Sequence, residues 1–200
     1  MITLNINGSV VKGLEGSSIL DVARSSGISI PTLCHSGALE PSGACRLCIV
    51  EVNDGKRNRM VASCLYPIRE GIDVYTESER VRNARHWILQ MLVDEHPGSE
   101  KIREIAGAYG VQESAFRSDD CDDTCIRCGL CVIACKDVAG IRSISFANRG
   151  VKKEVTTAHQ LPSPECVGCG VCLYVCPTES MERLFAKTRQ LAATVEGRQP

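Results

Sequence analysis

Alternating apolar and polar residues at the start of the chain predict a β-hairpin. Ile2, Leu4 and Ile6 are separated by polar residues, which is the period of a strand with one buried face. The Asn7-Gly8 pair favours a tight turn into a second strand near Val10–Leu14. Further along this segment we predict one helix, a second hairpin and a last strand: Ile19–Ser26, Cys48–Val52 with Arg59–Cys64, and Ile72–Tyr75.

Apolar positions with the period of a helix follow this first segment. Residues 78–94 carry their apolar side chains on one helical face, and His96-Pro97 ends the helix. Ser99 can cap a second helix, which Gly110 ends. The last part of the chain is predicted to form a short hairpin and a closing helix: Ser143–Ala147 with Val151–Thr157, and a helix from Met181 to Thr188.

These elements predict an α+β protein built from consecutive units. The first is a small mixed domain, the second a helical connector, the third a cysteine-rich unit and the fourth a helix with a tail. We place their boundaries as follows: residues 1–76, 77–114, 115–180 and 181–200.

The composition excludes several classes of protein. Hydrophobic residues make up 44% and charged residues 24% of the chain, as in globular proteins rather than disordered or collagen-like ones. A net charge of −1 and an aromatic content of 4% argue against a nucleic-acid partner. The longest apolar stretch, Trp87–Val93, is far too short for a bilayer, and Met1–Leu4 lacks the features of a signal peptide. We therefore expect a cytoplasmic protein without membrane insertion.

Thirteen cysteines are the most informative feature of the composition. Their number is odd and no secretory signal is recognisable, so a disulfide framework is not expected. Reduced cysteines at regular spacing indicate metal binding instead. The run C-x2-C-x2-C-x3-C occurs twice, and Pro177 follows the second copy. Gly129 and Gly170 occupy the same place in the two copies.

The repeated run has the spacing of two-cluster ferredoxins. Three cysteines two residues apart can wrap around three irons of a [4Fe–4S] cluster, and the last cysteine of each run reaches the other cluster. Zinc usually takes two pairs of ligands and fits this spacing poorly. The two predicted ligand sets are Cys125, Cys128, Cys131 and Cys176 for the first cluster, and Cys135, Cys166, Cys169 and Cys172 for the second.

A separate set of four cysteines lies in the first segment. Its pattern is C-x10-C-x2-C-x15-C, which suits one [2Fe–2S] cluster although the first spacer is longer than in plant-type ferredoxins. A zinc site is the alternative, because a C-x2-C pair with two distant cysteines can also build one. The predicted ligands are Cys34, Cys45, Cys48 and Cys64.

The chain resembles one protein family over roughly residues 1–180. The resemblance rests on the long first spacer, the Cys45-Arg46-Leu47-Cys48 segment and the later double motif. The family is that of iron–sulfur subunits of NADH-linked complexes. Its members include the N-terminal part of the complex I large iron–sulfur subunit, the diaphorase small subunit of bidirectional hydrogenases and the leading segment of iron-only hydrogenases. The resemblance implies a β-grasp [2Fe–2S] domain, a helical connector and a two-[4Fe–4S] module.

The connector departs from the pattern of that family. Many relatives hold an additional cluster there with one His and three Cys, whereas Gly98–Gly110 contains no cysteine. We therefore interpret His96 as a structural residue and not as a ligand. Cys121 lies among four aspartates and is interpreted as a surface or loop thiol. The alternatives are an extra or partner-shared ligand and a redox-sensitive thiol. His35 follows a predicted ligand and could hydrogen-bond near the cluster.

The resemblance implies electron transfer as the function. Neither a phosphate-binding glycine motif nor a nucleophile–base pair is recognisable, so this chain alone is not expected to bind NAD or flavin. It is expected to pass single electrons between a flavin- and NAD(P)H-binding subunit and a second redox subunit. That second subunit could be a hydrogenase, a formate dehydrogenase or an electron-bifurcating flavoprotein. The alternative is a free-standing polyferredoxin that carries electrons by diffusion.

Overall fold

The computed structural model describes residues 1–112, 116, 123–158 and 163–186. Its N-terminal part is a mixed five-stranded sheet in the order β2-β1-β5-β3-β4. β1 and β5 are parallel neighbours, and the other three strand pairs are antiparallel. The strands are β1 (Ile2–Ile6), β2 (Ser9–Gly13), β3 (Ile49–Asn53), β4 (Asn58–Ala62) and β5 (Asp73–Tyr75). This is a β-grasp sheet, and the predicted fold class is confirmed.

Helix α1 (Ile19–Ser25) covers the core of this sheet. It begins with a capping box, in which the Asp21 N–H donates to Ser18 Oγ at 3.2 Å and the Ser18 N–H donates to the Asp21 carboxylate at 3.1 Å. Ile19 and Leu20 are fully buried among apolar side chains of β1, β3 and β5. This sheet-and-helix unit supports the loop between α1 and β3, which carries three of the predicted ligands.

Two connector helices pack on the loop that precedes β3. They are α2 (Glu79–Glu95) and α3 (Glu100–Ala108). Leu89 and Val93 of α2 share one apolar core with Leu33 and Leu47 of that loop. The same helix is tied to the sheet by Arg85, which is fully buried and donates to Ile49 O at 2.8 Å. No helix formed by the described residues is long and apolar enough to cross a membrane.

The cysteine-rich part forms a smaller core around a two-stranded sheet. Its elements are α4 (Leu130–Asp137), β6 (Ile144–Ala147), β7 (Glu154–Thr157), α5 (Val171–Tyr174) and a helix at residues 180–186. β6 and β7 pair antiparallel, from Ile144 opposite Thr157 to Ala147 opposite Glu154. Cys131, Cys135 and Cys172 are buried in this core, so the cysteines themselves form part of its interior.

The structure differs from the predicted elements in this last part. The sequence pattern did not predict α4 and α5, which are short and begin directly after Gly129 and Gly170, both in the left-handed conformation. Strand β7 begins at Glu154 rather than at Val151, because Gly150–Lys152 forms a turn of 3-10 helix. Of the predicted closing helix, Thr188 lies outside the described residues, as do Cys121 and the tail.

Candidate metal centres

The hairpin of β3 and β4 brings Cys48 and Cys64 together. Cys48 directly precedes β3 and Cys64 follows β4, so strand pairing places both cysteines at the same end of the hairpin. The backbone N–H and the hydroxyl of Ser63 both donate to Cys48 O, at 3.1 and 2.8 Å, which closes this end. The two Sγ atoms lie 3.4 Å apart.

Cys34 and Cys45 form a second pair in the loop between α1 and β3. The backbone nitrogen of Cys34 lies 3.5 Å from Cys45 Sγ, and that of Cys45 lies 3.3 Å from Cys34 Sγ. Each N–H therefore donates to the sulfur of the other residue. Hydrogen bonds of this kind favour the charged thiolate, which is the form that binds metal.

Each of these two pairs contains one strongly acidic thiol. The hydrogen bond with Cys45 lowers the pKa of Cys34 to about 5, and the hydrogen bond with Cys64 lowers the pKa of Cys48 to about 6. The same two hydrogen bonds, together with burial, raise the pKa of Cys45 and of Cys64. One thiolate in each pair is thus present at neutral pH, and a bound cation favours loss of the remaining protons.

Every C-x2-C step of the predicted sites contains a left-handed residue between its two cysteines: Gly129 and Gly170 in the second step of each run, and a different residue in the first step of each site. In these first steps the residue is Arg46 with a φ of +58°, Arg127 with a φ of +53° and Gly168 with a φ of +69°. Arg46 directly follows the first cysteine of its step, whereas Arg127 and Gly168 directly precede the second. This region is open to glycine but strained for other residues. Its recurrence in three separate loops indicates that a C-x2-C step bends tightly through one left-handed residue.

The cysteines of the first run lie near Cys176. Burial raises the pKa of Cys128 to about 11 and that of Cys131 to about 12, and it also raises the pKa of Cys125. The negative charge of Cys176 contributes to the rise in all three cases. The first three cysteines of the first run and the last cysteine of the second are therefore close together, as a crossed ligand set requires.

The other four cysteines line one cavity. It has a volume of about 490 Å³, and Cys135, Cys166, Cys169 and Cys172 all form part of its wall. Burial raises the pKa of Cys172, and the charges of Cys135 and Cys169 add to that effect. Cys135 is the last cysteine of the first run, yet it faces the same space as the first three cysteines of the second run.

The N-terminal site and the first run are neighbours. The charge of Cys34 contributes to the raised pKa of Cys128, although the two residues belong to different parts of the chain. Cys45 and Ile126, the residue after Cys125, pack against the same apolar core of Leu33 and Leu47. Cys131 of the first run also shares a core with Cys135 and Cys172, so the first run is the middle member of a row of three cysteine groups.

The described cysteines are free thiols that do not gather about a single point. Among the described residues, no three His, Cys, Asp or Glu side chains converge closely enough to hold one metal ion. A tetrahedral zinc needs its cysteine sulfurs about 2.3 Å from a single point. In a cluster the cysteines surround a larger body, and each iron takes only one or two of them. None of the twelve described cysteines forms a disulfide.

His96 and His35 have protein partners. His96 is fully buried, and its Nδ1 lies 3.0 Å from Asp123 O, which joins the end of α2 to the first cysteine run. His35 Nδ1 lies 2.9 Å from an Arg24 guanidinium nitrogen. Burial and the charge of Arg24 lower the pKa of His35. Cys121 lies outside the described residues, and its interpretation as a surface thiol stays a prediction.

The sequence pattern did not single out Arg127, which lies between Cys125 and Cys128 of the first run. Its guanidinium donates to Glu95 Oε1 at 2.7 Å, to Asp123 Oδ2 at 2.7 Å and to Lys153 O at 2.8 Å. The sequence contains one signal for it. Arg127 stands at the position that Gly168 occupies in the second copy of the repeat, where a side chain is costly.

The comparisons with known proteins support both cysteine-rich regions. Residues 1–79 match the family of 2Fe-2S iron-sulfur cluster binding domains, and residues 120–183 match the family of 4Fe-4S dicluster domains. A solved structure, that of an NAD+-reducing [NiFe]-hydrogenase, has a chain with a TM-score of 0.68 and 29% identity. The match covers 78% of this chain and 74% of that chain.

Two curated relatives show how much of a longer protein the chain represents. The HndD subunit of the NADP-reducing hydrogenase of Solidesulfovibrio fructosivorans is 33% identical over 90% of this chain and 36% of its own length. One subunit of the NADH-quinone oxidoreductase of Rickettsia prowazekii is 31% identical over 78% of this chain and 26% of its own length. The chain thus spans about a quarter to a third of these relatives. The resemblance to the N-terminal part of the complex I subunit and to hydrogenase subunits is confirmed.

Proposed function

We propose that this chain is the electron-transfer iron–sulfur subunit of an NAD(P)H-linked oxidoreductase. The observation that carries the proposal is the row of three four-cysteine groups, in which neighbouring groups are close enough to interact. The bound clusters would take up and release single electrons. The relatives support the same role, since they are subunits of hydrogenases or oxidoreductases that use NADP or NADH.

In this proposal the N-terminal group holds one [2Fe–2S] cluster. Two thiolates on one tetrahedral metal, at bonds of about 2.3 Å, have sulfurs about 3.8 Å apart. The 3.4 Å between Cys48 Sγ and Cys64 Sγ is close to that value. Cys48 and Cys64 would therefore share one iron, and Cys34 and Cys45 the other. The N–H groups that donate to Cys34 and Cys45 sulfurs would stay bonded to the thiolates and stabilise their charge.

The remaining eight ligand cysteines hold two [4Fe–4S] clusters in crossed sets. Cys125, Cys128, Cys131 and Cys176 would hold the first, and Cys135, Cys166, Cys169 and Cys172 the second. The charge of Cys176 near the first run supports the first set. The cavity shared by Cys135 and the second run supports the other set. The protein would exclude water more completely from the first cluster than from the second, because the second-cluster ligands Cys166 and Cys169 are exposed.

The partners follow from the chemistry of the electron donor. NAD(P)H gives up two electrons as a hydride, whereas each cluster accepts one, so a flavin must stand between them. We propose a flavin- and NAD(P)H-binding subunit as one partner and a second redox subunit as the other, in the cytoplasm. The second could be a hydrogenase, a formate dehydrogenase or an electron-bifurcating flavoprotein.

A reconstitution experiment tests this function. The purified iron-loaded chain is mixed anaerobically with NADH or NADPH, first alone and then with the flavoprotein encoded or purified beside it. We expect no reduction of the chain until the flavoprotein is added, and then loss of visible cluster absorbance. Reduction by NADH without any flavin would contradict the proposal. Failure of any flavoprotein to co-purify would favour the free polyferredoxin carrier.

A further inference from the structure

Arg127 occupies a position where its backbone is strained. Its φ of +53° lies in the left-handed region, which is unfavourable for a residue that carries a side chain. The second copy of the repeat has Gly168 at the same place, with a φ of +69° and no such cost. A strained non-glycine residue that persists is held by its surroundings.

The side chain of Arg127 makes contacts that offset this strain. It donates to Glu95 at the end of α2, to Asp123 before the first cysteine, and to Lys153 O beside β7. Asp123 is itself fixed twice more. Its other carboxylate oxygen accepts the Cys125 N–H at 3.1 Å, and its backbone oxygen contacts the ring of buried His96. One guanidinium therefore connects the connector, the hairpin and the first ligand loop.

Arg46 is a control that the molecule itself provides. It is the left-handed residue of the Cys45–Cys48 step, with a φ of +58°. Arg46 directly follows the first cysteine of its step, whereas Arg127 is the second residue after the first cysteine of its own step. The Arg46 side chain is exposed, and within the described part of the chain it forms no hydrogen bond or ion pair. A left-handed arginine in such a step thus does not require a network of contacts, and the network at Arg127 is an additional feature.

We propose that Arg127 is a positioning residue for the first [4Fe–4S] site, which fixes the Cys125–Cys128 loop and keeps a positive charge beside the cluster. The inference rests on the proposed function. A nearby positive charge favours the more negative, reduced cluster, so Arg127 raises the reduction potential of the middle member of the row. The first cluster then accepts electrons more readily than its ligand set alone would allow.

Redox titration of the iron-loaded chain, followed by EPR, tests the charge. In Arg127→Gln the ratio of reduced to oxidised first cluster at a fixed potential should fall about tenfold, equivalent to about 59 mV for one electron. Arg127→Lys retains the charge and should restore most of that ratio. Glu95→Gln removes a neighbouring negative charge and should shift the ratio in the opposite direction. An unchanged ratio in Arg127→Gln and Glu95→Gln would overturn the proposal.

Iron release to a chelator tests the fixation of the loop. Arg127→Gly removes both the strain and the contacts, and it should lose iron about tenfold faster than the unchanged chain. Arg46→Gly removes strain alone and should lose iron no faster. Equal release from Arg127→Gly and the unchanged chain would show that the contacts do not fix the loop. If the unchanged chain binds no clusters, the proposed function fails rather than this inference.

Discussion

The first and second cysteine runs have the same spacing but different surroundings. Each contains a left-handed residue before its second cysteine, at Arg127 or Gly168, and a left-handed glycine that begins a short helix. In the first run Cys125 and Cys128 are partly buried, and Ile126 between them packs against the core of the connector helices. In the second run Cys166 and Cys169 are exposed.

The comparison separates what the motif determines from what its neighbours determine. The spacing sets the backbone of the loop, whether the left-handed position is an arginine or a glycine. The environment is set by packing. The first run lies beside α2 and the N-terminal cysteines, whereas the second run itself contains Val167 and Tyr174, which are 73% and 91% exposed. In the proposed row the first run is the interior member, and we propose that the exposed second run is the one that meets a partner subunit.

The largest effect is expected from substituting the last cysteine of each run, which should remove one whole cluster. Cys135→Ser should remove the cluster of Cys166, Cys169 and Cys172 and leave the other [4Fe–4S] signal. Cys176→Ser should do the reverse. Each variant should lose about four irons. Iron analysis and EPR of each variant measure this loss. Loss of the first cluster in Cys135→Ser would mean that the ligand sets do not cross.

Metal removal should act on the two runs at different rates. Because Cys166 and Cys169 are exposed, the second cluster should be lost to a chelator or to oxygen about tenfold faster than the first. The measurement is the order in which the two [4Fe–4S] EPR signals disappear. Simultaneous loss at one rate would contradict the difference in exposure. Addition of the flavoprotein and the second redox subunit should protect the second cluster.

A smaller effect is expected from the paired glycines. An alanine Cβ at Gly129 would lie 3.1 and 3.2 Å from two Phe146 ring carbons, whereas one at Gly170 would meet nothing within 4 Å. Both substitutions add backbone strain of about 1–2 kcal/mol. Gly129→Ala should therefore lower the free energy of unfolding by about 1 kcal/mol more than Gly170→Ala. Denaturant unfolding of the iron-loaded variants measures this difference, and equal values would contradict it.

The smallest effect on metal content is expected outside the proposed ligand sets. Cys121→Ser and His96→Ala should both retain the full iron content. His96→Ala should still lower the free energy of unfolding by about 1–3 kcal/mol, because it leaves the Asp123 carbonyl without its buried partner. Iron analysis together with thermal unfolding checks both statements. Loss of about four irons in either variant would show that the residue is a ligand.

Local patterns in the sequence predicted most of the N-terminal fold. The alternation at Ile2, Leu4 and Ile6 predicted β1, and the Ser18–Asp21 pair predicted the start of α1, because both signals arise within a few residues. Helices α4 and α5 were not predicted. They contain only eight and four residues, and their start depends on the left-handed glycines that close the cysteine loops.

The cysteine spacing indicated the chemistry of the sites but not their relative positions. The repeat identified which residues could share a cluster, because ligand spacing is a local property. The proximity of Cys34 to Cys128 and the contacts of Arg127 depend on how the loops pack across the connector, which no local pattern contains. Only the departure from glycine at Arg127, compared with Gly168, was visible in the sequence.

The central claim is that the chain carries one [2Fe–2S] and two [4Fe–4S] clusters. It is tested most directly by iron, zinc and acid-labile sulfide analysis of anaerobically purified chain, combined with EPR of the reduced state. The account predicts about ten irons and about ten sulfides per chain, with signals from all three clusters. Stoichiometric zinc in place of iron, or an iron content near four, would contradict it.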